Sequence, residues 1–185
     1  MRVISGTARG IALRAPEGLG TRPTTDRVKE NLFNIIQHDI RDRVVLDLFS
    51  GSGALAVEAL SRGAAAAVLV EQDRASCAVI RDNLKRTRLE DRARLIQAEV
   101  MLGLEQLGRE GFRADLVLLD PPYSSGWEER VLKRLLELSL LNPGAWAVVE
   151  HAADDRLPEH VGTLAAVKAR RYGKTTLSLY REETR

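Results

Sequence analysis

Val44-Val45-Leu46-Asp47-Leu48-Phe49-Ser50-Gly51-Ser52-Gly53-Ala54 decides the fold. A short apolar run ends in a glycine-rich turn, and residues 54–62 then read as a helix. The same unit recurs downstream. Residues 66–71 form a second apolar run before a helix over about 74–87. Residues 94–97 form a third before a helix over about 100–109, and residues 116–120 a fourth before a helix over about 127–138. Residues 145–150 are a fifth run. Continuous apolar runs alternating with amphipathic helices require a parallel sheet covered on both faces.

Working outward, residues 164–171 and 175–181 flank Tyr172-Gly173-Lys174, which reads as a hairpin turn. Upstream, residues 2–14 read as two short strands around Gly6 and Gly10, and Pro16, Gly18, Gly20 and Pro23 mark a loop. Thr24 or Thr25 suits the N-cap of a helix over about 26–40, with Val28, Leu32, Ile35, Ile36 and Ile40 on one face. The expected fold is α/β, Rossmann-like and doubly wound. Its mostly parallel seven-stranded sheet has order 3-2-1-4-5 in the parallel part and an antiparallel C-terminal hairpin strand. Residues 1–185 read as one domain, with 1–20 as a short N-terminal β-hairpin extension.

The chain has 185 residues, 44% hydrophobic and 29% charged, which is the composition of a soluble globular domain. No apolar run reaches the roughly 18 residues of a membrane span, and residues 1–6 lack a signal-peptide core. One cysteine, Cys77, excludes an intrachain disulfide framework. With three histidines, at 38, 151 and 160, no metal is expected, and a cytoplasmic location is. The net charge of +2 is unevenly spread: +3 over residues 1–43, −5 over 44–155 and +4 over 156–185. Basic ends around an acidic middle point to a polyanionic partner, and Arg2, Arg9 and Arg14 at one end with Lys168, Arg170, Arg171 and Lys174 at the other are the candidate phosphate contacts.

The glycine turn also fits the dinucleotide pattern G-x-G-x-x-G/A, and Glu71 stands where an acid would hold ribose hydroxyls, so a nicotinamide cofactor enters consideration. Asp47 argues against it, because a carboxylate beside a pyrophosphate is repelled. A ligand carrying an ammonium and a sulfonium suits Asp47 instead, and S-adenosyl-L-methionine is such a ligand. The second signal is Asp120-Pro121-Pro122-Tyr123, directly after the fourth run. In the expected strand order it faces the same crevice as the glycine turn. The lone pair of an exocyclic aromatic amine is delocalised into its ring. The Asp120 carboxylate and Pro121 carbonyl offer two acceptors that favour a pyramidal nitrogen and stabilise its developing positive charge. The prolines stiffen the turn, and Tyr123 offers a face on which a base stacks. Trp127 is expected to pack under this loop, and Cys77 in the core.

On these residues the chain resembles class I S-adenosylmethionine-dependent amino-methyltransferases. Arg22-Pro23-Thr24-Thr25-Asp26-Arg27-Val28-Lys29-Glu30, Asp47–Leu55 and Glu58-Ala59-Leu60-Ser61-Arg62-Gly63-Ala64 resemble the RsmD family more closely. The resemblance implies methylation of guanine N2 in small-subunit (16S) ribosomal RNA, with a 30S particle or assembly intermediate as partner. It also implies that Asp47, Phe49, Gly51 and Gly53 surround the methionine moiety, that Glu71 binds the ribose, and that Asp73 and Glu99 lie near the adenine. Arg22 and Thr24 would lie in a loop closing near the cofactor, and Asp120, Pro121, Pro122 and Tyr123 would form the catalytic corner. Glu99 departs from the family, which commonly has Asp or Asn there, and Lys174 replaces an acid. Two other function classes remain open: amino-methyl transfer to DNA adenine N6 or a protein glutamine, and cofactor or RNA binding without catalysis. The first lacks room for a DNA-recognition domain or a use for basic ends. The intact Asp120–Tyr123 corner speaks against the second.

Overall fold

The computed structural model describes residues 1–16, 26–123 and 125–183. After α1 (Asp26–Ile35), strands and helices alternate as β1 (Val44–Leu48), α2 (Ala54–Ser61), β2 (Ala66–Glu71), α3 (Arg74–Thr87), β3 (Ala93–Gln97), α4 (Val100–Arg109), β4 (Ala114–Leu119), α5 (Trp127–Glu137) and β5 (Leu141–Ala152). Three strands follow: β6 (His160–Val161), β7 (Leu164–Tyr172) and β8 (Thr175–Glu182). They form one sheet of order β3-β2-β1-β4-β5-β8-β7-β6. The first five pair in parallel and β8, β7 and β6 antiparallel. The sheet has eight strands where the sequence predicts seven. The extra one, β6, is two residues long, too short to carry a periodic signal.

Alternate strand residues feed two cores. Val45, Leu69, Leu116, Leu118, Val148 and Leu177 pack under α1, α2 and α3, whereas Leu46, Leu48, Val70, Val117, Leu119 and Val149 pack under α4 and α5. This two-sided burial is why the runs carry no polar alternation. β5 begins at Leu141, earlier than the sequence suggests, because Pro143 and Gly144 disguise its first turns as loop. There the pairing with β4 shifts register between Ala114 and Leu116. The helix expected to reach residue 40 stops at Ile35. Ile36 takes φ −102° and ψ 11°, and a 3-10 turn over Gln37–Asp39 carries Ile40 back into the core.

The N-terminal extension is less regular than a hairpin of two strands. It holds one isolated bridge, Arg2 to Ala12, supported by Val3 N–H donating to Ile11 O at 3.0 Å and Gly10 N–H to Val3 O at 2.9 Å. It is clamped to α2 instead. Glu58, fully buried, accepts from the N–H groups of Ile4 (2.8 Å) and Ser5 (3.0 Å) and from Arg62 Nε (2.8 Å), and its Oε2 lies 3.3 Å from the buried Lys29 ammonium. Gly6, at φ +87°, lies so close to α2 that a Cβ there would sit 1.8 Å from the Ser61 carbonyl oxygen. No described helix is long and apolar enough to cross a membrane.

Candidate active site

Parallel pairing of β1 with both β2 and β4 sets Asp47 opposite Leu69 and Leu118, and brings Glu71 and Asp120 to the neighbouring strand ends. Loops leaving the carboxyl ends of adjacent parallel strands open onto one crevice where the strand order reverses. Glu71 fastens two of these loops together. Its Oε2 accepts from Gly51 N–H and its Oε1 from Asp73 N–H, each at 2.8 Å. Each carboxylate oxygen retains a second lone pair for a further donor.

Asp47 is 1% exposed, and its Oδ2 accepts from Ala56 N–H at 3.1 Å, inside the first turn of α2. Burial pushes its carboxyl up to about 8; the Ala56 bond opposes this, and the negative charges of Asp120 and Glu71 add to it. The three carboxylates therefore share one field. The turn between them is built on positive φ at Phe49 (58°), Gly51 (54°) and Gly53 (73°). A Cβ on Gly53 would meet Leu69 and Ile80 at 3.1 and 3.2 Å, so glycine is needed there for helix packing. A Cβ on Gly51 would meet only Phe49 O, at 4.0 Å. The open space is in front of Gly51. Phe49, strained for a non-glycine residue, is braced by Trp127, with ring centroids 5.6 Å apart, and Arg130 lies 4.3 Å over the Trp127 ring. Trp127 thus packs against Phe49 of the glycine turn, whereas the sequence reading places it under the loop of the Asp120–Tyr123 corner, and Cys77 is buried.

Asp73 and Glu99 turn out to be helix N-caps. Asp73 Oδ2 accepts from Ser76 N–H at 2.7 Å, a bond that holds its carboxyl below the usual range. Glu99 Oε2 accepts from Met101 N–H at 2.9 Å, while Glu99 Oε1 is buried with no hydrogen-bond partner. That orphaned acceptor needs a donor.

Asp120 and the buried Pro121 follow β4 directly, and Pro122 and Tyr123 are exposed. The Ser125 hydroxyl donates to the Pro122 carbonyl and closes the corner. The Tyr123 hydroxyl lies 2.7 Å from Thr175 Oγ1 and donates to Glu150 Oε1 at 3.2 Å. Neither partner stands out in the sequence reading. Glu150 did carry a signal: like Glu71, it is an acid closing an apolar run.

The basic candidates divide by strand alternation. Arg170 pairs with Leu177 and Tyr172 with Thr175, the same face of the sheet as Glu150. Arg171 pairs with Thr176, on the opposite face, and meets Asp154 at 3.8 Å. Lys168, opposite Leu179, shares the Arg170 side, and Lys174 is exposed in the turn. At the other end Arg2 and Arg9 are exposed, and Arg14 is ion-paired with Asp82 at 3.3 Å. Arg22 and Thr24 lie outside the described residues. Among the described residues no group of three or more His, Cys, Asp or Glu side chains is placed to hold a metal ion.

A family model described as conserved hypothetical protein 95 matches residues 1–181. The ribosomal RNA small subunit methyltransferase D of Escherichia coli (strain K12) is 37% identical over 183 residues, covering 99% of this chain and 90% of the relative. The solved structure of the Escherichia coli yhhF protein superposes with a TM-score of 0.88 at 37% identity, covering 100% of this chain and 99% of that one. A more distant fold neighbour, at 19% identity and a TM-score of 0.65, is an RNA methyltransferase from Salinibacter ruber in complex with S-adenosyl-L-homocysteine; the match covers 89% of this chain and 95% of that one. With the family model spanning nearly every residue and the glycine turn and Asp120–Tyr123 corner meeting at one crevice, the chain belongs to the RsmD family of methyltransferases.

Proposed function

We propose that the chain methylates the exocyclic N2 amine of a guanine in small-subunit ribosomal RNA, with S-adenosyl-L-methionine as donor. The observation that carries this reading is the convergence of Asp47, Glu71 and Asp120 on one crevice, with the stiff Asp120–Tyr123 corner at its mouth. Three neighbouring carboxyl groups, close enough that Asp120 and Glu71 help to push Asp47 up, call for a cationic ligand. The names of the relatives supply the substrate class, and the bound product in the Salinibacter ruber neighbour supports the donor.

The residues present fit that donor. Glu71 has lone pairs left for the ribose hydroxyls, and Gly51 leaves room for the ligand to approach the backbone. Glu99 Oε1 is an unsatisfied acceptor at the strand end where the adenine amine would lie, so glutamate serves despite its extra methylene. S-adenosyl-L-methionine supplies an electrophilic methyl on a sulfonium. Asp47 faces the positive end of the donor, Asp120 accepts a hydrogen bond from the target amine, and the Tyr123 ring stacks the base. The N2 amine of a paired guanine lies in the minor groove, so the base must be unpaired or flipped to reach the crevice. Arg2, Arg9, Arg14, Lys168, Arg170 and Lys174 supply phosphate contacts that position the RNA without selecting the base, whereas Arg171 lies on the opposite face of the sheet. The partner is a 30S particle or assembly intermediate, and the reaction is cytoplasmic.

The test is methyl incorporation from labelled donor into small subunits from cells lacking this enzyme, followed by nucleoside analysis. N2-methylguanine is expected. Incorporation as N6-methyladenine, or only into DNA or protein, overturns the substrate assignment.

A further inference from the structure

Tyr123 is 37% exposed, yet its hydroxyl is engaged by two side chains that are themselves buried, Thr175 (4% exposed) and Glu150 (6%). A phenol has one hydrogen. It goes to the Glu150 carboxylate, so the Thr175 hydroxyl donates to the phenolic oxygen. The sheet brings the two partners together. Residues 150 and 152 of β5 lie opposite 177 and 175 of β8, on one face. Thr175 is also opposite Tyr172 on β7, the strand that presents Lys168 and Arg170 on this same side.

We propose that Glu150 and Thr175 are positioning residues that hold the Tyr123 ring at the angle at which the target base stacks beside Asp120. The inference rests on the methyl-transfer reading and adds to it two side chains that meet the base only through Tyr123. An exposed aromatic ring tethered at its Cβ alone changes rotamer on the picosecond-to-nanosecond scale. Tethering its far end from two strands removes that freedom before the base arrives, so the gain falls on turnover and not on donor binding. The C-terminal hairpin thereby serves both ends of the encounter, with cations on β7 for the RNA and Thr175 on β8 for the ring.

The test is a double-mutant cycle between Thr175→Val, which keeps the β-branched shape, and Tyr123→Phe, with small subunits as substrate. Thr175→Val should lower kcat about 10-fold, the worth of one hydrogen bond at a stacked contact. Affinity for S-adenosyl-L-homocysteine should stay unchanged, and Thr175→Ser should restore turnover. In the Tyr123→Phe background Thr175→Val should cost nothing further. The proposal is overturned if Thr175→Val turns over like the wild type, or loses the same factor with and without the Tyr123 hydroxyl. Thr175→Ala enters the same cycle if the valine variant does not fold. A wild type that transfers no methyl to any RNA would overturn the underlying reading, an outcome distinct from a failed cycle in an active enzyme.

Discussion

Asp47 offers the sharpest measurement. Its carboxyl is pushed up to about 8 by burial, reinforced by Asp120 and Glu71. In the ligand-free protein at pH 7 it is therefore mostly protonated. A cationic ligand favours the ionised form, so binding must first expel the proton. Each pH unit below 8 then costs about 1.4 kcal/mol, a factor of ten in affinity. The sign is fixed: donor affinity rises with pH, by about 50-fold between pH 5.5 and 7.5, a window in which the donor's own ammonium, with a pKa near 7.8, remains mostly charged. Asp47→Asn approximates the protonated carboxyl. It should bind at pH 7.5 about as weakly as the wild type does near pH 5.5–6, with a flat profile. Titration calorimetry in two buffers of different ionisation enthalpy reads both the affinity and the net release of most of one proton per donor at pH 7. A wild-type affinity independent of pH, or an Asp47→Asn variant that keeps the slope, would refute the reasoning.

Other perturbations discriminate between neighbouring residues. Arg170→Glu should weaken RNA binding and flatten its salt dependence by about one unit of slope per lost phosphate contact. Arg171→Glu, on the opposite face and already beside Asp154, should do less, and equal effects in filter-binding titrations would refute the one-sided track. Asp120→Ala should leave donor affinity nearly intact and reduce turnover about 100-fold or more, whereas Glu71→Ala should weaken the donor by roughly 2–3 kcal/mol; single-turnover kinetics and calorimetry separate the two. Glu58→Ala strips partners from the buried Lys29 and from two backbone N–H groups, and should cost about 3–5 kcal/mol of stability in urea unfolding. A loss below about 1 kcal/mol would show the clamp to be dispensable.

The parallel half of the fold is legible in the sequence because β1, β2 and β4 are buried on both sides, which turns topology into a countable pattern of apolar runs; in the edge strand β3 only Ile96 is buried. The glycine turn and the Asp120–Tyr123 corner are legible because they are contiguous. What is assembled across the sheet is not. The Lys29–Glu58 clamp joins residues read as family markers into a structural anchor, and nothing local to either distinguishes it from a surface ion pair. The Tyr123 tether is a second case. Read alone, the tyrosine is a stacking face whose hydroxyl is idle; only the antiparallel register of β5 and β8 brings Glu150 and Thr175 to it. The run Lys168–Lys174 reads as one basic cluster, and strand alternation divides it.

The charge asymmetry of the chain acquires a mechanical sense from this geometry. The segment from 44 to 155 carries net −5 and holds Asp47, Glu71 and Asp120 around the crevice, whereas the basic ends carry +3 and +4. In the proposed reaction a field that welcomes a cationic donor also repels phosphate, so the ribose-phosphate backbone would stay outside, on the cationic residues, while an uncharged base alone enters. The same acids bear on which edge of the base is accepted. A carboxylate takes a hydrogen bond from an amine and is repelled by a carbonyl oxygen, so in the proposed reaction Asp120 would favour the N2 edge of guanine over its O6 edge. On that proposal, discrimination within the base would follow from the sign of the charge at the end of β4, while the cations on β7 and the N-terminal segment would hold the backbone without selecting the base.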